Sequence, residues 1–285
     1  MASAELPSFD LVVATVDREQ ELDCLLSSLD EQTYRSFRVA LVDQNGDDRL
    51  GPLVSAHPRL EVVHVRSGRG LSRARNAGLE LVEADVVAFP DDDCVYPPDL
   101  LERVAARFAA APALDGLTGR PVDGTGASPP TWNHEEAVLT DDNLWNRVVS
   151  FAIFLRRGTV TAVGSFDEAL GLGSGTPWSS GEEVDYLVRA VRRGARIAYD
   201  PGITVRHPAK PPAPDRLGAL GFRDGASIGY ILRKHEYPPR VVGRMLVRPA
   251  GGILVSLLRL RPHRARFHAA TLQGRLAGLR AGREE

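Results

Sequence analysis

The sequence predicts an α/β protein, a doubly wound and mostly parallel sheet flanked by helices, followed by a basic, mainly helical C-terminal extension. Three observations lead there. Short Val-rich runs alternate with stretches whose leucines recur at spacings of three and four, the pattern of βαβ units. Acidic and hydroxyl residues gather at the ends of those runs. Charge is also split along the chain: residues 206–285 carry 16 Lys and Arg against 5 Asp and Glu, a net +11, which leaves −13 on residues 1–205.

The 285 residues are 43% hydrophobic and 25% charged, which excludes wholesale disorder, a collagen-like repeat and a multispanning membrane protein. Two cysteines, Cys24 and Cys94, cannot build a disulfide framework or a cysteine-rich zinc site, so a reducing compartment is expected. Residues 1–10 show no basic start followed by an apolar stretch, and no secretory signal is expected; the expected location is cytoplasmic.

FDLVVATV (9–16) has the Val content of a buried first strand, and Leu22, Leu25, Leu26 and Leu29 put a helical stripe on the segment after it. FRVALVD (37–43) is a second strand, closed by the turn pair Asn45 and Gly46. LEVVHVR (60–66) is a third, and residues 67–70, SGRG, open a helix running through Leu81. ADVVAFP (84–90) is a fourth strand, ending on Asp91, Asp92 and Asp93. Ligands in such sheets sit beyond the carboxyl ends of the strands, and here that edge collects Thr15, Asp17, Asp43 and the three aspartates.

Residues 121–146, with Trp132, His134 and Trp145, show few regular signals and read as a long loop. FAIFLRR (151–157) predicts a further strand, then Gly171, Gly173 and Gly175 mark a glycine loop. Residues 181–194 form a helix with Val184, Leu187, Val188 and Val191 on one face, followed by two short strands, 195–201 and 203–208. Pro208, Pro211, Pro212 and Pro214 mark a boundary that divides a catalytic domain, 1–208, from the extension, 209–285. Beyond it, helices are expected to break at Pro238 and Pro239, at Pro249 and at Pro262, so that the apolar stretch 251–258 is too short to span a membrane. With arginines on both sides it is read either as an interfacial helix or as an ordinary packed one. The +11 extension suggests either an anionic partner such as a membrane surface or an intramolecular one, the acidic residues 1–205 of the same chain; no nucleic-acid motif accompanies it.

Three acids in succession at a strand end repel one another unless a cation or hydrogen bonds offset the charge, and hard oxygen ligands suit Mg2+ or Mn2+ held against substrate phosphates. His207, after a short apolar strand, adds an imidazole usable by Mn2+ beside two carboxylates. Glu182, Glu183 and Asp185 open a helix, where acids are favoured by its dipole; Glu183 neighbours the buried stripe, and Asp185 is expected to pair with Arg189 on the surface. A carboxylate there is able to accept a hydroxyl proton. Trp178, beside the glycine loop, is read either as an apolar face open to a ligand or as a core filler.

In order and spacing, VVATVDR (12–18), VALVDQNG (39–46), GRGLSRARNAGL (68–79), VVAFPDDDCVYPPDLL (86–101), VGSFDEALGLG (163–173), GEEVDYLVRAVRRGARIAYDP (181–201) and VRHP (205–208) resemble the family 2 glycosyltransferases of the GT-A fold. The resemblance covers about residues 8–208 and implies an inverting enzyme that moves a sugar from a nucleoside-diphosphate sugar to an acceptor hydroxyl, with Mn2+ or Mg2+ as cofactor. The acceptor it implies is a lipid-linked or polysaccharide glycan of cell-wall or exopolysaccharide biosynthesis. By the same resemblance Thr15, Asp17, Arg18, Asp43, Arg73 and Asn76 border the nucleotide, Asp91 and Asp92 lie against it, and Asp91, Asp93 and His207 hold the metal. Glu183 stands where the family has its catalytic base, with Glu182 and Asp185 as alternatives; Gly173, Gly175 and Trp178 shape the acceptor side. Two other readings compete. One is a non-catalytic sugar- or lipid-binding module on this scaffold; the other is a nucleotidyltransferase, against which stands the missing glycine-rich basic loop after the first strand.

Overall fold

A computed structural model describes residues 6–208 and 213–281 of the chain. It divides into two compact units, one of Met1–Phe166 with Tyr186–Ala209, the other of Asp167–Asp185 with Lys210–Glu285.

The first unit carries all eight strands found among the described residues: β1 (Phe9–Thr15), β2 (Phe37–Asp43), β3 (Val62–Arg66), β4 (Val86–Ala88), β5 (Gly116–Val122), β6 (Ala137–Val138), β7 (Ile153–Arg156) and β8 (Ile197–Arg206). They form one sheet in the order β3-β2-β1-β4-β7-β5-β8-β6. The ladders from β3 through β4 are parallel, as is β5 with β8; β7 and β6 pair antiparallel. Helices α1 (Gln20–Asp30), α2 (Leu50–Ser55), α3 (Leu71–Leu79), α4 (Leu100–Ala110) and α5 (Arg157–Val163) belong to this unit, and the division between the units falls within α6 (Glu182–Arg192), after Asp185.

Every residue of β1 is buried, as a central strand covered on both faces must be. Phe9, Leu11 and Val13 pack with the α1 stripe Leu22, Leu25, Leu26 and Leu29, and with Leu101, Val104 and Phe108 of α4. Both cysteines are free.

Several expectations need correction. The region 121–146 is not a bare loop: β5 runs into it and β6 pairs with β8. The two short strands expected at 195–208 are one strand, β8, whose pairing with β5 slips between Thr118 and Arg120; that irregularity absorbs Pro201 and Gly202 without ending the strand. Asp167–Asp185 groups with the C-terminal helices rather than with the sheet. The cause is a set of contacts within the second unit: Lys234 Nζ binds Asp167 Oδ2 at 2.7 Å and Asp185 Oδ1 at 2.8 Å, and Trp178 stacks on Tyr230 with ring centres 4.9 Å apart.

The second unit holds α7 (Leu217–Lys234), α8 (Pro239–Leu258) and α9 (Pro262–Arg280). Pro211 and Pro212 of the predicted boundary lie outside the described residues. Helix α7 meets α9 at backbone contact, because a Cβ on Gly225 or Gly229 would strike the α9 backbone, and one on Gly274 or Gly278 the α7 backbone. Pro239 and Pro262 do begin helices, where a missing N–H costs nothing. Pro249 does not end one. It sits buried inside α8, and the carbonyl four residues back, on Met245, which its missing N–H leaves unpaired, accepts a hydrogen bond from the Arg275 guanidinium of α9. The expected break at Pro249 is therefore absent, and α8 runs 20 residues, long and apolar enough by length and composition to cross a membrane.

An ion-pair cluster in the first unit sets a pH dependence. His57 is buried, its Nδ1 2.8 Å from Asp30 Oδ2 and its Nε2 3.0 Å from Asp23 Oδ1. Burial works to lower its pKa, but the hydrogen bonds to Asp30 and Asp23 outweigh it and hold the imidazole above its ordinary 6.5. A raised folded-state pKa contributes stability that is full below the ordinary value and is lost as pH rises through the raised one. The stability gap between wild type and His57→Gln is thus expected to shrink as pH climbs through that window. Denaturant titrations on either side of it check this; a constant gap refutes it.

Candidate active site

Thr15 ends β1 and Asp43 ends β2, opposite each other in parallel register. Ala14 bridges to Asp91 just beyond β4, and Val95 pairs with Arg206 at the end of β8. The carboxyl ends of four strands thus converge where the strand order reverses about β1, the place such sheets offer to ligands.

Asp91, Asp93 and His207 come together there, with one ligand atom from each all within 4.8 Å of one another. His207 Nε2 lies 3.0 Å from Asp93 Oδ1, and its ring stacks on Phe151 at 5.0 Å, which fixes its plane. Arg18 Nη1 spans Asp92 Oδ1 and Asp93 Oδ2, 2.7 Å from each. Burial holds the Asp92 carboxyl above its ordinary pKa, against the hydrogen bond from Thr15 and the charge of Arg18. Burial also pushes Asp93 upward, but His207 and Arg18 prevail and keep it below the ordinary value. The hydrogen bond to Asp93 raises His207. Two half-buried carboxylates and an imidazole form a donor set suited to Mn2+ or Mg2+, so these residues fit a divalent ion.

The middle aspartate has a different setting. Asp92 is buried, accepts from Thr15 Oγ1 at 2.7 Å and from Arg18, and ties the end of β1 to the acidic turn. Asp43 is fully buried; Asn45 donates to its Oδ1 from both backbone and side chain at 2.8 Å, and His64 Nε2 stands 3.2 Å from its Oδ2. Asp17 has a positive φ of 54°, its N–H donating to Asn45 Oδ1 and its carboxylate meeting Arg69. Arg73 is exposed on α3. Asn76 holds the backbone of Phe166 from both sides, donating to its carbonyl at 3.1 Å and accepting its N–H at 2.7 Å, which makes it an anchor for the chain after α5.

Arg75 was not among the expected residues. It is buried on α3, reaches Asp91 Oδ1 at 3.0 Å and lies over the Phe166 ring. Ser150 donates to the same carboxylate. The signal for Arg75 was present: it shares the inner stripe of α3 with Ala74 and Gly78, and a guanidinium there requires a buried partner. Ser150 had no such signal.

In the second unit, Gly181 takes φ +77° just before α6, and any Cβ would crowd Ile231. Glu182 is buried at 4% exposure, while Glu183 stays partly accessible. Asp185 is not the surface residue expected: it is fully buried, with His235 Nε2 and Lys234 Nζ each 2.8 Å from its Oδ1. The reason is α7, whose charged end packs over that turn of the helix. Gly173 and Gly175 both have positive φ, 79° and 78°, in a turn-rich loop. One face of Trp178 is taken by Tyr230.

Over 218 residues the chain is 28% identical to the pre-mycofactocin glycosyltransferase of Mycobacterium tuberculosis, covering 70% of this chain but only 44% of that protein. The fold is similar to the mannosyltransferase PcManGT of Pyrobaculum calidifontis, solved with GDP-Man and Mn2+, at TM-score 0.66 and 16% identity, covering 97% of this chain and 88% of that one. It is similar also to TarS of S. aureus, at TM-score 0.62 and 17% identity, covering 93% of this chain and 55% of that one. These are GT-A glycosyltransferases, so the architecture is that of the GT-A fold. The sequence profile of glycosyl transferase family 2 matches residues 10–172, more than half of the chain. The chain belongs to glycosyl transferase family 2.

Proposed function

We propose that this protein is an inverting, divalent-metal-dependent glycosyltransferase that moves a sugar from a nucleoside-diphosphate sugar to an acceptor hydroxyl of a lipid-linked or polysaccharide glycan. The observation that carries the reading is the Asp91, Asp93 and His207 cluster at the carboxyl edge of the sheet in a family 2 chain. PcManGT, which shares the fold, was solved with GDP-Man and Mn2+, and free Cys24 and Cys94 suit a reducing, cytoplasmic setting.

Asp91, Asp93 and His207 would hold Mn2+ or Mg2+, whose chemistry is to neutralise charge growing on a departing diphosphate. Arg75 and Ser150 keep Asp91 in place, while Arg18 and His207 do the same for Asp93. Thr15, Asp17, Asp43 and Arg73 border the nucleotide. Glu183 accepts the acceptor's proton, and of the two glutamates that open α6 it is the one a hydroxyl can approach, since Glu182 is buried.

A thermal-shift screen of nucleotide sugars with and without Mn2+ tests the donor half of this reading. A ligand at a hundred times its Kd stabilises by about 2.7 kcal/mol. One donor is expected to raise the melting temperature, and only with the metal present. If no nucleotide sugar does so, the assignment is wrong.

A further inference from the structure

The outer face of α8 is apolar and uncovered. Residues 249–258 carry no charge, and Val247, Leu254 and Leu258 recur at helical spacing on one side. The opposite side, Val241, Met245, Pro249 and Ser256, is the buried one. Val255 and Leu257 are exposed too, and the patch continues round the corner into α9 through Leu260. Exposure climbs toward that corner, 76% at Leu258 and 88% at Leu260. Leu260 also has φ +53°, a backbone that suits Asn or Gly, at a position where water favours a polar side chain. An exposed apolar strip of this kind marks an interaction surface.

Charge names the occupant. Residues 237–282 contain nine arginines and not one Asp or Glu. Arg275 turns inward to the Met245 carbonyl, whereas Arg244, Arg248, Arg259, Arg261 and Arg264 are exposed along the apolar strip. A second copy docked through this same face would bring these cationic rims against each other with no carboxylate in the segment to pair them. A bilayer with anionic headgroups satisfies both features, taking the leucines at the acyl boundary and the arginines among the phosphates. We infer that the outer face of α8 and the α8–α9 corner form an interfacial docking surface for anionic phospholipid. The helix lies in the membrane plane and does not cross it, because its inner face is already packed within its own unit.

This surface is independent of the transferase reading, and its test uses neither donor nor metal. The full chain is floated with phosphatidylcholine vesicles, with and without phosphatidylglycerol. It is expected to rise only with the anionic vesicles and to be released by salt. The exposed-residue variant L257S/L258S/L260S should bind about tenfold more weakly or worse at an unchanged melting temperature, and R259E/R261E/R264E should lose the preference for phosphatidylglycerol. The inference is overturned if the protein does not float, floats equally on neutral vesicles, or floats undiminished in both variants. It is overturned as well if the leucine variant only converts a dimer to a monomer. Resistance of the bound wild type to alkaline carbonate would mean that α8 crosses the bilayer, which also refutes it.

Discussion

Asp93→Asn is expected to abolish Mn2+-dependent donor stabilisation and to lower turnover on the order of a thousandfold, corresponding to the several kcal/mol a metal ion contributes at a leaving diphosphate. Charge is what changes, since the amide keeps the shape of the carboxylate. His207 Nε2 retains a partner 3.0 Å away and Arg18 retains Asp92, so the turn should stay folded. What is lost is one of the two anionic ligands in the cluster. Donor-dependent thermal shift and steady-state turnover, each measured over a range of Mn2+, separate the two effects. Wild-type turnover in the variant would remove the metal from this cluster.

The second large effect is expected at Glu183. Changing it to Gln removes a proton acceptor while preserving size, and positioned general bases contribute about 10²–10⁴-fold. Transfer should fall by that factor with the donor's thermal shift intact, the split that marks a chemical role rather than a binding one. Glu182→Gln is the control: that side chain is buried, so its loss should appear mainly in melting temperature. Full turnover in Glu183→Gln would move the base to Glu182 or Asp185. Asp185 is the weaker of these, since its carboxylate already binds Lys234 and His235 out of contact with solvent.

Much of this is legible in the sequence. Val-rich runs broken by Leu22, Leu25, Leu26 and Leu29 specified βαβ units because burial on two faces and on one stripe leave different periods in the chain. Three aspartates after an apolar strand foretold an acidic turn at the carboxyl edge. Misreadings came where a residue's partner is far away in sequence. Pro249 suggested a broken helix, but Arg275 supplies the donor that its Met245 carbonyl lacks. Asp185 suggested an exposed position, but it is fully buried against Lys234 and His235.

By itself the sequence determined the order of elements, the edge of the sheet at which polar residues collect, and the identity of the acids there. All three follow from local periodicity and from covalent neighbours. Tertiary structure alone decided which of those acids pair with Arg18 and which with Arg75, that residues 167–185 pack with the C-terminal helices, and that α8 is whole with one face exposed. Burial and pairing depend on groups brought from elsewhere in the chain, such as His235 to Asp185, 50 positions away, and no local pattern encodes such a meeting.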